Sequence, residues 1–169
     1  IIDMREHENL PIHMLPNTYN VDKILLEIDQ IVSKVGWGRK NQISLQSPDG
    51  DFHSGVGAIE ETPQYNEHDF SKLNINPRLE ISRFIIDHEL YRTRIMKLAP
   101  RECYSVHADR SKRIHLAIET NENCFIMVDR KLFNVPADGH AYLVDTTKRH
   151  SAMNCNLMFY RIHIVGCVD

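Results

Sequence analysis

The stretch Leu157-Met-Phe-Tyr-Arg-Ile-His-Ile-Val165 decides the fold. In an extended strand, side chains two apart point to one face. This rule places Leu157, Phe159, Arg161, His163 and Val165 on one side and Met158, Tyr160, Ile162 and Ile164 on the other. A simple solvent-facing side would not favour Arg161 among Leu157, Phe159 and Val165. On an inner face that Arg needs an anion, because an unpaired buried charge is very costly. Arg113-Ile-His-Leu-Ala-Ile118 repeats the pattern, with Arg113, His115 and Ala117 opposite Ile114, Leu116 and Ile118.

Outward from these two segments, short strands are expected at 91–99, 103–109, 113–119, 124–129, 141–146 and 157–165. Turn chemistry separates them at Ala99-Pro100, Asn121-Glu-Asn123 and Pro136-Ala-Asp-Gly139. The first half reads differently. Asn20 caps an amphipathic helix over 21–35 whose stripe is Val21, Leu25, Ile28 and Val32, and Gly36-Trp37-Gly38 ends it. Trp37 is placed to seal that helix against the sheet. Gln42-Ile-Ser-Leu-Gln46 reads as a short strand. Asn76-Pro77 opens a second helix, apolar on two sides: Ile81, Phe84 and Ile85 on one, Leu79, Ile86 and Leu90 on the other. Helices followed by a run of short strands predict a mainly β jelly roll with N-terminal buttressing helices, one domain spanning 1–169.

The 169 residues are 42% hydrophobic and 25% charged, which argues against disorder. No apolar run reaches membrane-spanning length, and no signal-peptide pattern opens the chain. A net charge of -3 gives no reason to expect nucleic acid. The distribution is uneven, however: 47–71 holds six carboxylates and no Lys or Arg, whereas 91–113 holds seven basic residues. Two solvated faces, or a basic wall beside an anion pocket, both fit. The acidic segment is also a candidate lid. Cys103, Cys124, Cys155 and Cys167 form no CxxC pair, so a zinc ribbon is unsupported. Reduced, buried thiols in a cytoplasmic protein are the expectation.

Within Tyr104-Ser-Val-His-Ala-Asp109, His107 and Asp109 share a strand face and converge on one point. With the downstream His150 they supply two imidazoles and a carboxylate to one side of a metal. That is the facial triad of non-haem Fe(II) oxygenases. Arg161, eleven residues past His150, offers a planar fork to an anionic cosubstrate.

Taken together, Ile95-Met-Lys-Leu-Ala-Pro100, His107, Arg113-Ile-His-Leu-Ala-Ile118, Gly139-His-Ala-Tyr-Leu-Val-Asp145, His150 and Arg161-Ile-His-Ile-Val165 resemble one family. It is the aspartyl/asparaginyl β-hydroxylase-like branch of the 2-oxoglutarate-dependent Fe(II) oxygenases, and the likeness covers under half of the chain. It implies His107 and His150 as iron ligands. It assigns Arg161 to the distal carboxylate of 2-oxoglutarate and sets Arg113 and His115 near the 1-carboxylate or 2-oxo end. It implies Asp145 as a turn-shaping group. Asp109 departs from the animal branch, which has Gly there; this chain is similar instead to bacterial relatives that hydroxylate free amino acids such as proline. Met96 stands where the animal branch has a cosubstrate-binding Ser. The resemblance implies O₂-dependent hydroxylation of an unactivated C–H bond in an amino acid, peptide side chain or small metabolite.

Other polar residues have ordinary readings. His163 is expected to be structural, and His7, His13, His53, His68, His88 and His140 have no partner pattern. Asn154 and Thr120-Asn121 either cap turns or meet substrate. Arg92 and Arg94 are expected at the surface, with contact to an acidic substrate group as the alternative. Two other functions compete: a cupin-like binding module with a different metal, and a nucleic-acid demethylase. The demethylases usually carry a further Arg six residues past the cosubstrate Arg, where this chain has Cys167. The oligomeric state is not encoded in any pattern found here.

Overall fold

The computed structural model describes residues 1, 4 and 9–169. Strand β1 (Ile12–Thr18) leads into helix α1 (Val21–Val35) and strand β2 (Gln42–Ser44). After helix α2 (Glu80–Asp87) come β3 (Tyr91–Leu98), β4 (Glu102–Cys103), β5 (Lys112–Glu119), β6 (Cys124–Val128) and β7 (Lys131–Phe133). The last three are β8 (His140–Val144), β9 (His150–Asn154) and β10 (Arg161–Val168). Two antiparallel sheets result, ordered β1-β8-β5-β10-β3-β2 and β4-β9-β6-β7. From β3 onward the chain passes repeatedly between the sheets. This is the expected double-stranded β-helix, or jelly roll.

The helices buttress the outer face of the larger sheet. Asn20 caps α1 as expected, its Oδ1 accepting from the Lys23 N–H at 3.0 Å. The buried stripe is Ile24, Ile28 and Ile31, displaced from the expected one, and Val21, Leu25 and Val32 flank it half-buried. These pack with Ile81, Phe84 and Ile85 of α2 and with Ile114, Leu116, Ile118, Ile162 and Ile164 of the sheet. The apolar sides of β5 and β10 are therefore where the alternation put them. Trp37 packs on the edge of this cluster beneath the Lys97 ammonium.

Helix α2 starts at Glu80, not at Asn76-Pro77. The Asn76 side chain holds a turn by accepting from the Arg78 N–H at 2.9 Å. The free N–H groups of α2 are met by buried Glu27 of α1, which accepts from Glu80 and Ile81 at 2.8 and 3.1 Å. Of the second apolar side expected for this helix, Ile86 is 56% exposed and Leu79 half-buried, whereas Leu90, beyond the helix end, is buried in the core. A helix of eight residues presents one face to the sheet and leaves the other to solvent.

Between the sheets, Ile12, Ala117, Ile126, Val128, Phe133, Tyr142 and Val144 form a second apolar cluster. The remaining interlayer space is polar and open. Two expected strands differ here. Of 103–109 only Cys103 joins a ladder, paired with Glu102 before it; Tyr104 to Asp109 is held by isolated bonds to Ala152 and His150 of β9 and to Thr146. Strand β10 begins at Arg161, not Leu157, because the Asn156 side chain folds 156–159 into a turn by accepting from Met158 and Phe159. Leu157, Met158, Phe159 and Tyr160 are exposed in consequence. Strands β1, β7 and β9 were not anticipated.

Candidate metal centre

His107, Asp109 and His150 meet at the mouth of the interlayer space, with one donor atom from each lying within 4.8 Å of the others. Backbone pairing makes the juxtaposition. His107 N–H donates to the His150 carbonyl at 3.1 Å, His150 N–H returns the bond at 2.8 Å, and Asp109 N–H donates to Thr146 at 2.8 Å. His150, far downstream in sequence, is thereby clipped to His107 and Asp109 without a continuous strand.

The ring orientations are set from behind. His107 Nδ1 donates to the Ser105 carbonyl at 2.7 Å and His150 Nδ1 donates to the Lys148 carbonyl at 2.9 Å. A carbonyl only accepts, so each neutral ring carries its proton on Nδ1 and leaves Nε2 as a lone pair. Those Nε2 atoms face Asp109, at 3.6 Å from His107 and 3.4 Å from His150. Burial pushes the Asp109 carboxyl up, but hydrogen bonding from His150 whenever that ring is protonated, the Arg113 guanidinium and the charge of a protonated ring outweigh it and hold it below its ordinary range. Two oriented imidazoles and an ionised carboxylate fit a divalent first-row metal.

Behind the triad lies a cavity of about 500 Å³ lined by Arg92, Arg94, Arg113 and Arg161. Arg92 and Arg94 are buried, against the surface placement expected from sequence. The 47–71 segment, which covers this cavity, and Gln42 of β2 account for this: Arg92 Nη2 donates to the carbonyls of Gly55 and Gly57, and Arg94 Nη1 to Gly57 and to Gln42 Oε1. From the same segment, buried Glu67 accepts from Arg113 at 3.0 Å and lies 3.7 Å from Arg92. Arg113 also approaches Asp109 at 3.5 Å, so one guanidinium joins the cover to the triad.

Arg94 and Arg161 have no carboxylate partner among the described residues. Burial, with the neighbouring Arg92 and Arg113 charges, pushes the Arg94 guanidinium down to about 9. Arg161 is 1% exposed, and its Nε and Nη1 have no acceptor. His115 lines the cavity and shares a 3.1 Å Nδ1–Nδ1 hydrogen bond with His163; burial pushes both rings well below the ordinary histidine range.

The other candidates are structural. Asn154 donates to the Leu98 and Phe159 carbonyls, and Asn121 and Asp145 accept within their own turns. His53, His88 and His140 hydrogen-bond Gly36, Tyr19 and Leu15, while His68 stacks on Tyr91. His13 is exposed on β1, and His7 lies outside the described residues. All four cysteines are free, but only Cys124 and Cys167 are buried. No helix among the described residues is long and apolar enough to cross a membrane. Sequence reasoning missed Glu67 and Tyr104. The first is one of six carboxylates in 47–71 and nothing local marks it out, whereas the second stands three residues before His107 without a pattern that gives it a role.

No protein-family model and no curated protein sequence matches the chain. Among solved structures, the chain is similar to an oxidoreductase of the 2OG-Fe(II) oxygenase family from Burkholderia pseudomallei. The TM-score is 0.50 at 15% identity, over 94% of this chain and 85% of that one. At such identity the likeness speaks for the jelly-roll fold.

Proposed function

We propose that the described fold is one Fe(II)- and 2-oxoglutarate-dependent dioxygenase domain that hydroxylates an unactivated C–H bond. One observation carries this reading: three metal-binding donors within 4.8 Å of one another share a cavity with a fully buried, anion-free arginine. His107, Asp109 and His150 hold the metal through one face and leave the opposite face open. Arg161 binds the distal carboxylate of 2-oxoglutarate as a bidentate fork. Arg113 keeps the Asp109 carboxylate oriented, and His115, neutral beside His163, lines the region of the 1-carboxylate and 2-oxo group. When bound, iron, O₂ and 2-oxoglutarate supply the C–H oxidation, the cosubstrate leaving as succinate and CO₂.

The substrate carries an acidic group. Four buried arginines share this cavity with the carboxylates of Glu67 and Asp109, and the exposed Glu60, Lys40 and Arg110 line it as well, which leaves cations in excess. Arg161 is committed to the cosubstrate, which leaves Arg94 to receive an anion from the substrate. An amino acid, a peptide acidic side chain or a small carboxylate metabolite meets this requirement. Within the superfamily we favour the aspartyl/asparaginyl β-hydroxylase-like branch and its free-amino-acid relatives, given Asp109. Four free cysteines suit a reducing, cytoplasmic setting.

The test is 2-oxoglutarate turnover to succinate with Fe(II), ascorbate and a panel of amino acids. Asp109→Ala and His150→Ala should abolish it, and full turnover by either variant would refute the assignment. A non-catalytic cupin-like module predicts no 2-oxoglutarate affinity and tolerance of Arg161→Gln. A demethylase predicts salt-sensitive strand binding. Cys167, buried with its thiol donating to Glu67, offers no cation for that role.

A further inference from the structure

Strand β6 is apolar at every position, Cys124-Phe-Ile-Met-Val128. A strand with one solvated face alternates; an unbroken apolar run belongs to a strand covered on both sides. Cys124, Ile126 and Val128 point into the interlayer space and are buried, so Phe125 and Met127 point outward, half-buried. Cross-strand pairing extends each into a row. Cys103, Met153 and Phe125 stand side by side across β4, β9 and β6, and Met127 stands beside Leu132 of β7. Ser151, the neighbour of Met127 on β9, donates its hydroxyl to the Tyr104 carbonyl at 2.6 Å, which occupies its proton. Phe125, Met127, Leu132 and Met153 belong to neither apolar cluster among the described residues, and both helices pack on the larger sheet. Beyond Met153 the chain carries the apolar surface through exposed Cys155 into a turn where Leu157 and Met158 are 73% and 75% exposed. A run of exposed apolar side chains this long marks an interaction surface.

We propose that this face is covered by a second copy of the same chain, packed sheet on sheet about a two-fold axis that lies in the interface and crosses the strands. The rim charges select both the occupant and the direction. At one end of the face, exposed Glu122 before β6 and Glu102 of β4 outnumber Arg101. At the other end stand exposed Arg130, Lys131 and Arg149, while Asp129 is paired with Lys148 at 3.8 Å. An axis along the strands would set like charges together. An axis across them runs β6 of the two copies antiparallel, so the acidic end of each meets the basic end of the other. The same operation brings Phe125 of each copy to Met127 of the other. An anionic lipid surface takes one sign of charge, whereas this rim carries both, at opposite ends. Four strands about 4.8 Å apart and about five residues long span roughly 300 Å² in plan. Stable interfaces bury about 800 Å² per partner, so the sheet face needs the projecting turn at its end, and the dimer is weak and concentration-dependent.

The test is sedimentation equilibrium of the full chain over a range of concentrations. At about 100 μM, above the micromolar constants of small interfaces, the wild type should approach twice the mass of one chain, and at about 1 μM it should be mostly monomeric. Glu122→Arg and Arg130→Glu each set like charges against one another across the axis and should raise the dimer Kd roughly tenfold. The double variant exchanges the two signs and should return to within about threefold of the wild type. Both positions are exposed, so urea midpoints of the monomers should not move. Met127→Gln should weaken the dimer by a similar factor, with no rescue from the charge exchange. A wild type that stays monomeric at the highest concentration overturns the proposal, whatever else the face binds. A dimer indifferent to Met127→Gln overturns it too, and so does a double variant no tighter than either single one.

Discussion

Replacing Arg161 by methionine separates function from stability in a way that few other substitutions here can. The guanidinium is fully buried, with Nε and Nη1 unpaired and no carboxylate partner among the described residues. Each unsatisfied buried donor costs roughly 1–3 kcal/mol, so the two together cost on the order of 2–6 kcal/mol. Methionine keeps the apolar stem and discards the charge, at the expense of a small unfilled space worth roughly 1–2 kcal/mol. The unliganded Arg161→Met protein should therefore be more stable than wild type by on the order of 1–3 kcal/mol. In a chain of this size each kcal/mol moves Tm by about 2–4 °C, which differential scanning fluorimetry resolves.

The liganded protein should behave oppositely. Mn²⁺ with N-oxalylglycine at about a hundred times its Kd adds roughly 2.7 kcal/mol to the wild type, several degrees in Tm. Arg161→Met should lose that increment while keeping the part due to Mn²⁺ alone. A clear drop in the Tm of the unliganded variant would show that Arg161 anchors the fold, and the inference of a missing anion would fall.

Three further outcomes follow from the same geometry. Asp109→Ala should weaken Mn²⁺ binding, measured by calorimetry, by more than the roughly 10–100-fold that loss of an outer hydrogen-bonding partner costs. Glu67→Ala strips the carboxylate from Arg113 and Arg92; urea denaturation should show a loss of about 3–5 kcal/mol, typical of a buried pair that loses one partner. His115 and His163 are held neutral by burial, below their ordinary 6.5. The unfolded chain thus binds more protons below pH 6.5, and stability should fall with acid by up to about 1.4 kcal/mol per pH unit for each ring. Urea midpoints across pH 4–8 measure this, and His163→Gln should lower the acid slope; an unchanged slope would place the liability elsewhere.

How much of this was legible beforehand depended on the kind of signal each element carries. Alternation along β5 and β10 gave the apolar sides correctly, because Ile114, Leu116, Ile162 and Ile164 recur at the period of an extended chain. The triad was legible because metal chemistry demands particular residue types in a particular order. What pairs His107 with His150 is backbone, however, and no residue pattern announced that bridge. The start of α2 was misplaced for a related reason: its N–H groups are capped by Glu27, 53 positions away, which no local rule of helix initiation reaches.

The burial of Arg92 and Arg94 shows the limit most clearly. The sequence carries a run of carboxylates at 47–71 and a run of cations at 91–113, which fits two solvated faces or a basic wall beside an anion pocket. The structure joins the two runs by charge only once, through Glu67. The other contacts from this segment to Arg92 and Arg94 come from the carbonyls of Gly55 and Gly57, dipoles present at every residue and so invisible in a sequence. These glycines have φ of +74° and +83°, and at Gly55 an added Cβ would meet the Phe70 ring at 2.2 Å. The backbone thus comes close enough to solvate two guanidinium groups without neutralising them. A cover that paired every arginine with a carboxylate would leave nothing for a ligand to bind; a cover of carbonyls keeps the cations buried, ordered and still in need of an anion.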